Sequence, residues 1–147
     1  GLSKDDDGGL DSRQGRLEPE FNVLASEASW AWPLAVRSIF QPRGVNLLMA
    51  QEATEFVNII ERQRIHTAIV DMDSSRFDAM ATIKVIRLHF PMLPCLLLSS
   101  KADQDILGEA LRLNVFSVIG KPVDMSILRE RLDRLFTKRY DSRIFAE

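Results

Sequence analysis

The sequence predicts one doubly wound α/β domain on a five-stranded parallel sheet, and three observations predict it. Apolar runs of about five residues recur five times after Phe21, too short for buried helices and dense without alternation, as strands covered on both faces are. The stretches between them carry apolar residues at helical spacing. The length of 147 residues, 46% hydrophobic and 27% charged, suffices for one core and falls short of two ordinary domains. Strands alternating with helices imply right-handed crossovers and helices on both faces of the sheet.

Taken in order, residues 1–20 lack a periodic apolar pattern and contain Asp5-Asp6-Asp7-Gly8-Gly9, the composition of a disordered acidic leader. The first strand is expected over Phe21 to Ala25. A helix follows with Trp32, Val36, Ile39 and Phe40 on one stripe and Pro33 near its start, where a missing N–H is tolerated. Val45 to Met49 is the second strand, and Ala53, Phe56, Val57 and Ile60 mark the second helix. Thr67 to Val70 is the third strand, followed by the stripe Met80, Ile83, Ile86. Pro94 to Leu98 is the fourth, followed by Ile106, Ala110 and Leu113. Asn114 then ends the helix in the left-handed conformation, directly before the fifth strand, Val115 to Ile119. Ile127, Leu128, Leu132 and Leu135 mark the last helix.

The formal net charge of −2 gives no electrostatic reason to expect a nucleic-acid or anionic-membrane partner. One cysteine, Cys95, excludes an intramolecular disulfide and a Cys-based zinc site, and its apolar neighbours make it a small buried hydrophobe. With no apolar stretch near the roughly 20 residues of a membrane span and no signal peptide, a reducing, cytoplasmic setting is the default expectation. A Gly-rich phosphate loop of Walker or dinucleotide type is missing, which argues against nucleotide enzymology.

Ligands of doubly wound sheets bind at the carboxyl ends of the strands, near the switch in strand order. The residues expected there are Ser26-Glu27, Asp71-Met72-Asp73, Ser99-Ser100 and Gly120-Lys121-Pro122. Paired carboxylates suit a hard cation such as Mg²⁺. A lysine and a serine hydroxyl beside them suit phosphoryl oxygens, and an aspartate so placed is a nucleophile towards phosphorus. Each residue alone has a plainer reading: Ser99 as a cap for the helix starting near Asp103, Lys121 as a surface cation.

Together these segments resemble the receiver domain of two-component response regulators, over Phe21 to about Leu135. The match rests on Thr67-Ala68-Ile69-Val70-Asp71, on Phe77-Asp78-Ala79, on Pro94 to Ser99, on Ala110-Leu111 with Asn114, and on Lys121-Pro122. The resemblance implies the (βα)5 flavodoxin-like receiver fold, with residues 21–137 as the domain and 138–147 as a C-terminal tail. It implies Asp71 as phosphoacceptor, Ser99 as the switch hydroxyl, and Lys121, next to a cis proline bond, as the phosphate-binding ammonium. Mg²⁺ would be held by Glu27, Asp71 and the Asp73 backbone carbonyl, and Asp78 would cap its helix. The implied partners are a sensor histidine kinase or phosphotransfer protein, and downstream another protein or a second copy of itself, without nucleic acid or membrane. The domain would accept phosphoryl rather than act as a dedicated enzyme, apart from autodephosphorylation.

The chain departs from the family pattern in ways that bear on this. Ser26 stands where receivers carry the first of two acids and can hold a metal-bound water without adding charge. Glu27 is one methylene longer than the usual Asp. Ser75 and Ala79 replace the usual Pro and Gly, and Val118 stands where a Tyr or Phe ring usually reports phosphorylation. Phe116 is expected to point the same way as Val118 if both lie on the strand. The Asp73 side chain is expected at the mouth of the site, either as a solvated loop acid or as a charge that repels a phosphodonor or orients water for dephosphorylation. His66 and His89 are expected at solvated or edge positions, Trp30 and Trp32 as packing residues, and Lys138-Arg139 as cations favouring the end of the last helix. The alternatives are a phosphorylation-independent pseudo-receiver acting as an interaction or dimerisation module, and a flavodoxin-like enzyme or cofactor binder.

Overall fold

A computed structural model describes residues 21–26, 33–74, 78–101 and 103–147. It contains β1 (Asn22–Ser26), α1 (Pro33–Phe40), β2 (Asn46–Ala50), α2 (Ala53–Arg62), β3 (Thr67–Asp71), α3 (Ala79–His89), β4 (Cys95–Ser99), α4 (Gln104–Arg112), β5 (Ser117–Gly120) and α5 (Met125–Tyr140). The strands are all parallel, in the order β2-β1-β3-β4-β5. The expected (βα)5 doubly wound fold is the observed one.

Alternation along each strand divides the core into two layers. Val23 and Ala25 of β1, Ile69 of β3, Leu96 and Leu98 of β4 and Ile119 of β5 pack with Val36, Ile39 and Phe40 of α1 and Leu128, Leu132, Leu135 and Phe136 of α5. Leu24, Ala68, Val70, Cys95 and Leu97 face the opposite layer, against Phe56 and Ile60 of α2, Ile83 and Ile86 of α3 and Ala110 of α4. The apolar stripes of α2 and α3 therefore turn to the core as their spacing predicts, and in α5 Leu128, Leu132 and Leu135 do so while Ile127 is exposed. Trp30 and Trp32 lie outside the described residues.

All five strands end one residue later than the apolar runs suggest, and at three of them the added residue is polar and completes the pairing. Ser26 pairs with Ala50, Asp71 with Leu98 and Ser99 with Gly120. Asn114 takes the expected left-handed conformation, with φ 56°. Asp78 caps α3 by accepting from the Ala81 N–H at 3.1 Å, and Asp103 caps α4 by accepting from Ile106. Asp78→Ala is expected to lower stability by about 1 kcal/mol. Urea unfolding checks this, and a change under about 0.3 kcal/mol would leave the cap without energetic weight.

The expected C-terminal tail belongs instead to the packed unit. α5 continues through Tyr140, Asp141 ends it with φ 51°, and the chain folds back to bury Phe145 completely. His66 also departs from expectation: it is buried, with Phe21 and Tyr140 edge-on to its ring at 4.9 and 5.2 Å. Its Nδ1 accepts the Asn22 N–H at 3.1 Å. Burial, then the nearby Arg64 charge, pushes its pKa below the ordinary histidine value, favouring the neutral acceptor form. His89 is exposed, as expected. Cys95 is buried, and desolvation pushes its thiol up to about 11, so it behaves as an apolar residue. No helix among the described residues is long and apolar enough to cross a membrane.

Candidate functional site

Because β1 lies between β2 and β3, the sheet reverses its winding at the β1/β3 edge, where crevices form at the carboxyl ends of strands. Ser26 ends β1 and Asp71 ends β3, both 2% exposed. The Ser26 Oγ accepts the backbone N–H of Asp71 at 2.8 Å, which ties the two strand ends together just past their last paired residues. Ser26 thus has a structural duty that the reading of it as a water-holding hydroxyl did not contain.

The Asp71 carboxylate receives donors from two directions. Its Oδ1 accepts the Asp73 N–H at 2.8 Å, a local turn that fixes the carboxylate orientation. Lys121, immediately after β5, donates from Nζ to Oδ1 at 3.0 Å and to Oδ2 at 2.9 Å. The same ammonium lies 3.1 Å from Asp73 Oδ2. Lys121 is brought there because its backbone N–H bonds the Ser99 carbonyl at 3.1 Å, continuing the β4–β5 ladder. The Lys121-Pro122 peptide bond is cis, as the resemblance implies.

Electrostatics follow from this geometry. Burial works to lower the pKa of Lys121, but the hydrogen bonds and charges of Asp71 and Asp73 outweigh it and hold the ammonium above the ordinary lysine value. For Asp73, burial pulls upward, while bonds from Lys121 and Ser100 outweigh it and hold the carboxyl below the ordinary range. The sequence-predicted Asp71, Lys121 and Asp73 are therefore one ion-paired cluster.

Ser99 ends β4 and is 1% exposed. Its hydroxyl donates to the Lys101 carbonyl and accepts the Lys101 N–H at 3.1 Å, so it holds the start of the β4–α4 connection. The cap of α4 is Asp103, so the plainer reading of Ser99 as that helix's cap is replaced by a loop-holding role. Glu27 and Ser75 lie outside the described residues. The Asp73 contribution that the structure describes is its carboxylate and N–H.

Ser100 has a role that the sequence reading did not assign. Its N–H and hydroxyl donate to Asp73 Oδ2 and Oδ1, each at 3.0 Å. The doubled serine at the end of a buried strand was the available signal: the first side chain points in and the second out, both at the ligand edge. Phe116 is a second correction. It precedes β5 and packs with the α1/α5 layer, whereas Val118 packs with the opposite layer. Its ring therefore cannot take the place of the one missing at Val118.

A Mg²⁺ ion is the group implied at such an edge. Two carboxylates already converge on one cationic atom, within 2.9 and 3.1 Å of Lys121 Nζ, and hard oxygen donors in small number suit a metal that keeps several waters. Asp71 and Asp73 supply carboxylate oxygens of that kind, whereas Glu27, the other expected ligand, lies outside the described residues, and among the described ones no group of three His, Cys, Asp or Glu side chains gathers. A cavity of about 490 Å³ lies elsewhere, lined by Ile60, Ile65, Phe90, Leu93 and Tyr140 and containing none of these residues.

The sequence matches the family model for the response regulator receiver domain over residues 32–133. The chain belongs to the response regulator receiver domain family. The match begins after β1, and the structure supplies that strand, completing the receiver sheet. Curated relatives include the transcriptional regulatory protein ZraR of Escherichia coli strain K12, 21% identical over 99 residues, 67% of this chain and 22% of that protein. A putative response regulator NtrX-like of Rickettsia bellii is 21% identical over 89 residues, 59% of this chain and 19% of that protein. The receiver thus spans about a fifth of the length of these relatives. Among solved structures, the signal receiver domain of an HD domain-containing protein from Pseudomonas fluorescens Pf-5 has a TM-score of 0.74 at 15% identity, covering 84% of this chain and 100% of that one. The chemotaxis protein CheY4 of Vibrio cholerae has a TM-score of 0.71 at 19% identity, covering 80% and 99%. Likeness at such identities bears on the fold, which is the CheY-like receiver fold of two-component signalling.

Proposed function

We propose that this receiver takes a phosphoryl group onto Asp71 from the phosphohistidine of a sensor kinase or phosphotransfer protein, and so switches its contacts with a further protein or a second copy of itself. The observation that carries the reading is the Asp71 carboxylate at the β1/β3 switch point with Lys121 Nζ at 2.9 Å. A carboxylate oxygen of Asp71 attacks phosphorus, the P–N bond breaks, and the imidazole leaves with a proton. The product is an acyl phosphate on Asp71, and water returns the carboxylate and inorganic phosphate. Lys121 offsets the added charge, and the Ser99 hydroxyl, at the adjoining strand end, is the second phosphoryl donor.

Asp71, Glu27 and the Asp73 carbonyl are the residues assigned to Mg²⁺. The metal, when bound, supplies charge neutralisation between the attacking carboxylate and the incoming phosphoryl oxygens. A switch of this kind works by shifting a population between two states. The cytoplasm is the compartment in which a kinase of this class would meet it.

The test is intact-protein mass after incubation with acetyl phosphate and Mg²⁺, beside Asp71→Asn. A gain of one phosphoryl group in the native chain and none in the variant is the expected result. No gain under conditions that label a control receiver, and no beryllofluoride complex, would overturn the reading and leave an interaction module.

A further inference from the structure

We propose that the Asp73 carboxylate is an internal competitor for the phosphoryl group, occupying in the resting receiver the donors that modified Asp71 needs. The inference rests on Asp71 being the acceptor and concerns how that site is regulated. Asp73 Oδ2 accepts from Ser100 N at 3.0 Å and lies 3.1 Å from Lys121 Nζ, and Asp73 Oδ1 accepts from Ser100 Oγ at 3.0 Å. One anionic group thus collects an ammonium, a backbone N–H and a hydroxyl, from residues that follow two strands of the sheet. That is an oxyanion-binding set, filled from within.

The 71–73 turn puts this carboxylate beside the acceptor, since the Asp73 N–H bonds Asp71 Oδ1 at 2.8 Å. A phosphoryl group on Asp71 brings three acceptor oxygens and close to two negative charges, all seeking donors at the same edge. A backbone N–H serves one strong acceptor well, and two anions sharing one ammonium repel each other. Asp73 must therefore leave before the phosphoryl group can hold Ser100 and Lys121. Its side chain is 34% exposed, so it can turn into water without disturbing the core. The contact acts as a latch, and the work of releasing it is subtracted from the stability of the phosphorylated or phosphoryl-mimic state.

The full chain, Asp73→Asn and Asp73→Ala are compared for beryllofluoride binding at saturating Mg²⁺, with Mg²⁺ affinity measured separately so that a changed metal site is not mistaken for a changed anion site. Both variants are expected to bind beryllofluoride about 10-fold more tightly than the native chain and to label faster with acetyl phosphate. The Ser100 amide resonance reads the contact directly. It is expected to move when beryllofluoride binds the native chain, and to be displaced already in unliganded Asp73→Ala. Unchanged or weaker beryllofluoride affinity in both variants overturns the latch, as does a Ser100 amide that stays put in the native complex. If the native chain neither labels nor binds beryllofluoride, the acceptor reading itself has failed, which is a different result from a native chain that labels at the same rate as its variants.

Discussion

Phe145→Ala is expected to lower the free energy of unfolding by about 3–5 kcal/mol. Phe145 is 0% exposed although it is the third residue from the C-terminal end of this chain. Its ring lies 4.9 Å from that of Phe136 and 5.6 Å from that of Phe40, both edge-on, and the Arg43 guanidinium lies 5.8 Å from its centre. It therefore closes the gap between α1 and α5. Arg129 Nη1 holds its carbonyl at 2.6 Å, so the backbone is fixed as well as the ring. Truncation to alanine forfeits the transfer of the ring out of water and leaves a cavity that two facing aromatics cannot fill by small movements. A domain of this size has about 5–15 kcal/mol in total, so the loss is a large fraction. Equilibrium urea unfolding gives the number directly. A loss below 1 kcal/mol would mean that the segment is dispensable to the core.

Lys121→Ala is expected to slow phosphoryl uptake from acetyl phosphate by about 10²–10³-fold, the usual effect of removing a preorganised donor from developing oxyanion charge. Lys121 Nζ touches both oxygens of Asp71 and one of Asp73. Without it the acceptor oxygen faces an incoming anion beside a second carboxylate and with no ammonium between them. The Asp71 side chain is 3% exposed, so water compensates poorly, and the unfolding midpoint should fall too. Rates from intact mass, taken below the unfolding transition, separate the two effects. A rate within tenfold of the native chain would remove Lys121 from the proposed chemistry.

The sheet was legible because its strands are apolar on both faces: Leu96-Leu97-Leu98 and Ala68-Ile69-Val70 read as strands whatever surrounds them. Their ends were displaced by one residue because Ser26, Asp71 and Ser99 are paired in the ladder despite being polar, and hydropathy alone assigns such residues to the loop. The site was legible as a set of strand-end residues. Its wiring was not, since a strand end fixes where a residue stands and leaves open which atom it bonds. Ser26 accepting the Asp71 N–H, and Ser100 holding Asp73, depend on turns only a few residues long. Phe145 was unreadable for another reason. A lone aromatic after a helix has no period, and its burial depends on a reversal at Asp141 that a non-glycine residue in the left-handed region does not advertise.

Arg87 has a mechanical consequence for α4. Its guanidinium donates to the carbonyls of Leu113 and Leu93 at 2.7 Å each, and to Asn114 at 3.4 Å. The C-terminal end of α4 is thereby clamped to α3 and to the approach to β4, whereas Asp103 at the other end bonds within its own first turn. Any rigid motion of α4 that keeps the clamp must be a pivot about that end. A nine-residue helix is a lever of about 13 Å at 1.5 Å per residue, so a swing of about 10° carries its free tip through roughly 2 Å. That tip is the one that leads back towards Ser99 and Ser100, so α4 is the arm of the lever and Arg87 its fulcrum.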